Sequence, residues 1–151
     1  FKFNNMKYLL TIAVLGLMAF TTPENDPCMS GITYYSFEEA LAESSKAKVL
    51  DVAMQHPKLT TLPVSIGKLT NLECIDASFN RISTLPDEMK NLKNLKKLNL
   101  SGNQYLSKFP EILKEISSLE EVDFTGIPQW SKEKCDAAKA ALPGVKVLTD
   151  K

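Results

Sequence analysis

Apolar residues of this chain recur at two spacings, and the same order of spacings returns every 23 residues. Around Leu98 and Leu100 apolar positions alternate with polar ones, which predicts a short strand with one buried face. Between residues 85 and 92 the apolar side chains stand three or four positions apart, as on one face of a helical or 3₁₀ turn. Each unit is therefore a predicted strand followed by a helical return, so that successive strands run parallel.

The repeat is visible as two sets of equivalent residues. The first set is Leu59, Leu62, Pro63, Ile66, Leu69, Leu72, Ile75 and Asn80, and the second is Ile82, Leu85, Pro86, Met89, Leu92, Leu95, Leu98 and Asn103. A more divergent third copy ends at Ile127, where asparagine would be expected. A fixed period of this length is typical of a solenoid, in which each repeat buries its apolar face against its neighbours.

The chain resembles the leucine-rich repeat family in three consecutive units, which read LPVSIGKLTNLECIDASFN, LPDEMKNLKNLKKLNLSGN and FPEILKEISSLEEVDFTGI. They follow the 23-residue pattern L-x-x-L-x-L-x-x-N-x-L-x-x-L-P-x-x-I-x-x-L, and the resemblance covers Ala47–Ile127. It implies an α/β solenoid with a concave parallel sheet and short helical or 3₁₀ convex returns. It also implies a role in protein recognition, although fold alone does not identify a partner.

Asn80 and Asn103 stand where the chain turns sharply after a strand. A buried amide both donates and accepts, so we expect these side chains to bond backbone groups that lack strand partners. The resemblance implies the same asparagine ladder. The predicted role of both residues is structural.

The first repeat can be aligned in two frames. An unbroken 23-residue offset would place Pro57 at the asparagine position. We prefer to align residues 50–55 with residues 75–80, because this places an amide, Gln55, at that position. Residues 56–58 then form a bulging loop.

Caps are predicted at both ends of the stack. The sequence Ser36-Phe-Glu-Glu39 is a capping box that opens an N-terminal helix. Ser131 can begin a second helix that stops at Pro143, and residues 145–148 read as a last edge strand. The predicted domains are a cap helix with repeats over 36–127 and a C-terminal cap over 128–151.

The N-terminus carries a largely apolar run, Leu9–Phe20, that is too short to span a bilayer but suits a signal peptide. We expect residues 1–5 to precede the natural start, residues 6–21 to be the signal peptide and residues 22–35 to be a flexible linker. An uncleaved anchor or a buried helix is the alternative. The expected source is a bacterium and the expected location is the periplasm, cell surface or extracellular space.

The three cysteines are Cys28, Cys74 and Cys135. More than two repeats separate Cys74 from Cys135, which exceeds the Cα distance of about 7 Å that a disulfide allows. Cys28 could reach Cys74 only if residues 22–35 fold back across the sheet, so we expect unpaired thiols. The residues before Cys28 do not favour its lipidation.

The chain carries 18 basic and 18 acidic residues and has a pI near 6.8, which argues against a nucleic-acid or anionic-membrane surface. Its one histidine, His56, falls in the predicted loop, and no phosphate-binding or zinc motif is present. We therefore predict no enzymatic activity, no metal and no cofactor. The expected partner is a protein or peptide, and the expected state is a monomer.

The predicted protein-binding surface is the concave face, where rows of acidic, basic and acidic residues would select a partner by charge complementarity. Its residues are Asp51, Ala53, Cys74, Asp76, Ser78, Phe79, Lys97, Asn99, Ser101, Glu121, Asp123 and Thr125. Phe79 has two open interpretations, an interface anchor or packing on the adjacent repeat. Trp130 and Tyr105 are assigned to packing in the cap and loop.

One column of this face, Asp51, Asp76, Asn99 and Asp123, offers oxygen ligands of the kind calcium prefers. We prefer to interpret it as a solvated polar ladder.

The main functional hypothesis is thus a noncatalytic, exported protein-binding module. The alternative is an accessory segment of a larger surface or sensory protein whose other domains carry the activity.

Overall fold

The computed structural model describes residues 26–29 and 31–151. These residues form one six-stranded parallel sheet whose strands follow chain order. The elements are β1 (Thr33–Tyr34), α1 (Phe37–Ala42), β2 (Val49–Asp51), β3 (Cys74–Asp76), β4 (Lys97–Asn99), β5 (Glu121–Asp123), α2 (Lys132–Ala141) and β6 (Lys146–Leu148). The predicted repeat solenoid with a parallel sheet is confirmed.

The register of the sheet places the repeat leucines in one buried row. Leu50 pairs with Ile75, Ile75 with Leu98 and Leu98 with Val122. All four side chains are buried in the core. The pairing of Leu50 with Ile75 confirms the preferred frame of the first repeat.

Three 3₁₀ helices return the chain between strands, at Val64–Lys68, Asp87–Asn91 and Glu111–Glu115. Each follows a proline, whose fixed φ suits the entry to a helical turn. The first two returns pack very closely, because a Cβ on Gly67 would lie 2.8 Å from the Cβ of Glu88. A glycine is therefore required where these two returns touch.

The asparagine ladder is confirmed. Asn80 is buried, donates through Nδ2 to the carbonyl of Val52 at 2.8 Å and accepts from the Leu59 amide at 3.2 Å. Asn103 is also buried, donates to the carbonyl of Ala77 at 3.0 Å and accepts from the Ile82 amide at 2.9 Å. Each amide thus bonds backbone groups of the preceding repeat, which supports the stacking of one repeat on the next.

Both caps form as predicted. Ser36 accepts from the Glu39 amide at the start of α1, and Ser131 accepts from the Lys134 amide at the start of α2. Trp130 closes the C-terminal end of the core: its ring is buried, and Nε1 donates to the carbonyl of Leu106 at 2.7 Å. The packing role predicted for Trp130 is confirmed.

The predicted linker over 22–35 is wrong for residues 33–34, which form β1 and pair with β2. Tyr34 is buried against the core, and its hydroxyl donates to Glu43 at 3.0 Å. This burial explains why the segment is ordered as an edge strand.

Residues 1–5 and the predicted signal peptide, 6–21, lie outside the described residues. Within the described ranges, no helix has the length and apolar character needed to cross a membrane.

Candidate binding groove

A disulfide joins Cys28 to Cys74, with their Cα atoms 5.5 Å apart. The expectation of unpaired thiols is therefore wrong for these two residues, whereas Cys135 is a free, buried thiol as expected. The pairing is possible because residues 26–29, which we call the strap, lie on the concave face of the sheet. Within the strap, Asp26 accepts from the Cys28 amide at 3.0 Å and so forms a tight turn.

A second link attaches the strap to the sheet, an ion pair of 2.7 Å between Lys97 Nζ and Asp26 Oδ2. The hydrogen bond from Lys97, with a further one from the Cys28 amide, lowers the pKa of Asp26 from its ordinary value. The predicted basic row on the concave face is thus neutralised by a carboxylate of the same chain.

Beside the strap, the sheet leaves a groove with a volume of about 400 Å³. The lining combines strap residues Asp26 and Cys28 with side chains of several successive strands. The charged side chains that line it are Asp26, Asp51, Asp76, Lys97, Glu121 and Asp123. Among the described residues, five carboxylates and one ammonium group therefore line the groove. A second ammonium, that of Lys146 outside the lining, pairs with Glu121 at 2.9 Å. Asp51, Asp76 and Asp123 make no ion pair among these residues, so the groove is acidic.

The polar column on this face has a structural role that sequence reasoning missed. Asp51 and Asp76 each accept a hydrogen bond from the backbone amide two residues later, at 3.1 and 2.9 Å. Asn99 and Asp123 do the same at 3.0 and 2.8 Å. In each of these four residues the Oδ1 atom thus accepts the hydrogen bond that stabilises the turn after the strand. Among the described residues, the second oxygens of Asp51 and Asp123 have no hydrogen-bond partner and are available to a ligand.

The groove collects part of the predicted surface: Asp51, Cys74, Asp76, Lys97, Asn99, Glu121 and Asp123. Cys74, Ser78 and Ser101 were predicted to be accessible, but they are buried, with 3%, 4% and 8% of their surface exposed. Cys74 is joined to Cys28 of the strap. The backbone carbonyls of Ser78 and Ser101 accept hydrogen bonds from the ladder residues Asn80 and Asn103. Ala53, Phe79 and Thr125 do not line the groove.

Sequence reasoning missed the groove residues that precede the repeats, namely Asp26, Cys28, Thr33 and Tyr35, and also Val49 at the start of β2. The one signal that pointed to the strap was the count of cysteines in a chain with an apolar N-terminal run.

Asp26, Cys28 and Cys74 bring potential metal ligands within 4.8 Å of one another. Because the two sulfur atoms are joined to each other, this cluster offers no thiolate. His56 is exposed in its loop, as expected.

Two of the repeats match a family model described as "Leucine Rich repeats (2 copies)", which covers residues 70–121. A 65-residue stretch is 34% identical to the adenylate cyclase of Neurospora crassa and covers 43% of this chain and 3% of that protein. A 64-residue stretch is 33% identical to the protein flightless-1 homolog of Caenorhabditis elegans and covers 42% of this chain and 5% of that protein.

The fold also matches the solved structure of a leucine-rich repeat protein of Leptospira interrogans, with a TM-score of 0.63 and 26% identity. That match covers 78% of this chain and 28% of the other. The chain thus spans 3% and 5% of the lengths of the two curated relatives. The name adenylate cyclase refers to a protein of which the matched stretch is a small part.

Proposed function

This chain belongs to the leucine-rich repeat family, and on that premise we propose that it is a noncatalytic protein-binding module whose concave groove takes a protein or peptide segment. Leucine-rich repeat domains are commonly protein-interaction modules. The parallel sheet supports this role because successive strands hold side chains in a fixed array.

The acidic groove is the observation that carries the proposal. Its one lining ammonium, that of Lys97, is already paired with Asp26, whereas Asp51 and Asp123 make no ion pair among the described residues. A segment that presents lysine or arginine would supply the missing positive charge. Charge complementarity of this kind speeds association and selects among partners more than it adds affinity.

Export to the periplasm, cell surface or extracellular space is part of the proposal. The Cys28–Cys74 disulfide supports it, because disulfides persist mainly in oxidising compartments. The apolar run Leu9–Phe20 supports it as a signal-peptide core. A bacterial source is proposed with it. Mass spectrometry of exported protein tests the proposal, since a mature chain that retains Leu9–Phe20 would contradict signal cleavage.

The alternative is that the chain acts as a segment of a larger surface or sensory protein. It is supported by the small share of each curated relative that the chain spans, 3% and 5%. In that case other domains carry the activity, and the groove serves to recruit a partner. The coding sequence on both sides of the chain distinguishes the two arrangements.

A charge-neutralising double variant, Asp51→Asn with Asp123→Asn, tests the groove. Asn99 already makes the same turn bond with an amide oxygen, so both substitutions preserve the acceptor while they remove charge. The probes are short peptides rich in lysine and arginine, and the same peptides with glutamate at those positions. We expect the basic peptides to bind and the double variant to slow their association about 3- to 10-fold at low salt.

The matched control is Asp87→Asn with Glu88→Gln, which removes two carboxylates from a convex return. This control should leave association unchanged, and high salt should reduce the difference between the double variant and the wild type. Equal binding of the basic and acidic peptides, or equal loss from the convex control, would contradict a binding role for the groove.

A further inference from the structure

A second surface lies at the edge of the solenoid where the chain leaves the strands. We call it the edge patch, and it comprises Met54, Lys58, Phe79, Arg81 and Tyr105. Met54, Phe79 and Tyr105 are large apolar or aromatic residues, and they are 59%, 54% and 59% exposed. The packing predicted for Tyr105 is therefore wrong. These side chains line one depression of about 410 Å³.

Met54 and Phe79 occupy a backbone position that disfavours them. Their φ values are +51° and +53°, in the left-handed region. The corresponding residues of the next two repeats are Gly102 and Gly126, both at φ +69°. Glycine adopts this conformation without strain, whereas a side chain is unfavourable there. Two repeats thus carry a large apolar side chain where glycine fits better, and most of that side chain is not buried.

The repeat geometry holds these side chains in place. The Met54 amide donates to the Ser78 carbonyl at 3.0 Å, and the Phe79 amide donates to the Ser101 carbonyl at 2.8 Å. The ring of Phe79 also lies against Gly102, since a Cβ on that glycine would be 2.7 Å from Phe79 Cδ1. Packing on the adjacent repeat, one of the two interpretations of Phe79, is therefore confirmed. It leaves the other face of the ring exposed.

The charge of the edge patch is positive. Its depression is lined by Lys58 and Arg81 and by no aspartate or glutamate among the described residues. Lys58 Nζ donates to the Phe79 carbonyl at 2.6 Å, so it is held beside the ring. The Arg81 guanidinium makes no ion pair within residues 26–29 and 31–151, and it lines a second depression together with Tyr105. A fixed apolar surface is thus bordered by an unpaired arginine.

We propose that the edge patch is a docking surface for an acidic protein segment that presents a large apolar side chain next to an aspartate or glutamate. The apolar side chain packs among Met54, Phe79 and Tyr105, where methionine adapts to its shape and the aromatic rings provide anchoring area. The neighbouring carboxylate pairs with Arg81, whose planar guanidinium can bind it through two parallel hydrogen bonds. This site shares no lining residue with the acidic groove and has the opposite charge.

Phe79→Gly is the decisive variant, because glycine suits the left-handed backbone and the fold should be retained. The probes are short peptides with phenylalanine or leucine between acidic residues, and the same peptides with lysine in place of the acids. We expect the acidic peptides to bind the wild type, and Phe79→Gly to weaken binding at least about tenfold. We expect its Tm to stay within about 4 °C of the wild type.

Arg81→Gln should also weaken acidic-peptide binding about tenfold, and the residual binding should depend less on salt. Val64→Ser is the matched control, because Val64 is 66% exposed on a convex return. Neither Phe79→Gly nor Arg81→Gln should change the binding of basic peptides to the groove, so the two sites can fail independently.

The proposal is overturned if acidic and lysine-substituted peptides bind equally, or if Val64→Ser weakens binding as much as Phe79→Gly. It is also overturned if the wild type self-associates through this patch and Phe79→Gly abolishes that association without affecting peptides. That last result would assign the patch to a second copy of this chain.

Discussion

Lys97 Nζ lies 2.7 Å from Asp26 Oδ2, although 71 positions separate the two residues in the chain. The contact places the N-terminal strap on the sheet at Lys97, which among the described residues is the one basic side chain that lines the groove. The chain thus supplies its own counter-ion to Lys97. What remains open to a partner is a surface of carboxylates, which is why the proposed ligand of the groove is basic.

Reduction of the Cys28–Cys74 disulfide is expected to destabilise the protein. The bridge closes a loop between residues 46 positions apart, and the loss of this restraint on the unfolded chain corresponds to ~4 kcal/mol in the chain-entropy model. Urea unfolding with and without a reductant measures the change. Cys28→Ser should reproduce the effect and show no further response to reductant. An unchanged midpoint on reduction of the wild type would exclude a disulfide in solution.

Acidification should loosen the strap and destabilise the first repeats. The pKa of Asp26 is lowered by Lys97, and the pKa of Glu73 is lowered chiefly by Lys48 and also by Lys96. A carboxyl with a lowered folded pKa stabilises the fold fully above its unfolded pKa, and this stabilisation is lost as pH falls through the folded value.

The resulting decline in stability should begin near the ordinary pKa values, 3.8 for aspartate and 4.5 for glutamate, and continue at lower pH. Urea midpoints measured from neutral to acid pH test this. Glu73→Gln should flatten part of the decline, because it removes the carboxyl whose pKa Lys48 and Lys96 lower. A pH dependence that is identical in the wild type and Glu73→Gln would refute the assignment.

Asn80→Leu should lower the free energy of unfolding by about 2–4 kcal/mol, because it leaves buried backbone partners of two repeats unpaired. Asn94→Leu should have a smaller effect, since Asn94 is exposed and donates one hydrogen bond, to Thr70, at 2.9 Å. Denaturant midpoints compare the two variants. The opposite ranking would contradict the stabilising role of the buried ladder.

Gly67→Ala should lower the free energy of unfolding by about 1–3 kcal/mol, because the added methyl group overpacks the contact between two returns. Its Cβ would lie 2.8 Å from the Cβ and 2.9 Å from the carbonyl oxygen of Glu88, and the backbone cannot move aside easily. Thermal and urea unfolding measure the loss. Lys68→Ala, at the exposed end of the same return, is the control and should have little effect. Comparable losses in the two variants would indicate that the returns are not tightly packed.

Hydrophobic spacing and amide chemistry were sufficient to predict the repeat architecture. The period places Leu50, Ile75 and Leu98 at equivalent positions, and the sheet pairs them in that order. The structural role of Asn80 and Asn103 could be predicted because a turn leaves backbone groups unpaired, and a buried amide can bond them. The capping serines Ser36 and Ser131 act within a few residues of themselves, so local sequence is enough to recognise them.

The strap and the burial of the turn residues could not be predicted in the same way. The Cys28–Cys74 bridge joins a segment outside the repeats to a strand within them, and no periodic pattern records such a contact. From the sequence, Asp76 is expected to face water, whereas in the structure it accepts a hydrogen bond from the Ser78 amide. An aspartate at this position is compatible with either role, so the residue type alone does not distinguish them. The edge patch depends on the φ values of Met54 and Phe79, which become known only with the backbone.

The position of the disulfide also determines which parts of the solenoid open together. Each strand contacts only its sequence neighbours, so amide hydrogens at either end could exchange by local fraying. The bridge fastens the segment that precedes β1 to β3 and thereby encloses β2. The first three strands are joined into one cooperative unit, whereas β6 is held by β5 and its cap. Slow exchange of amide hydrogens should therefore extend to the N-terminal edge of the sheet in the oxidised protein. Local unfolding of the solenoid should begin at its C-terminal end.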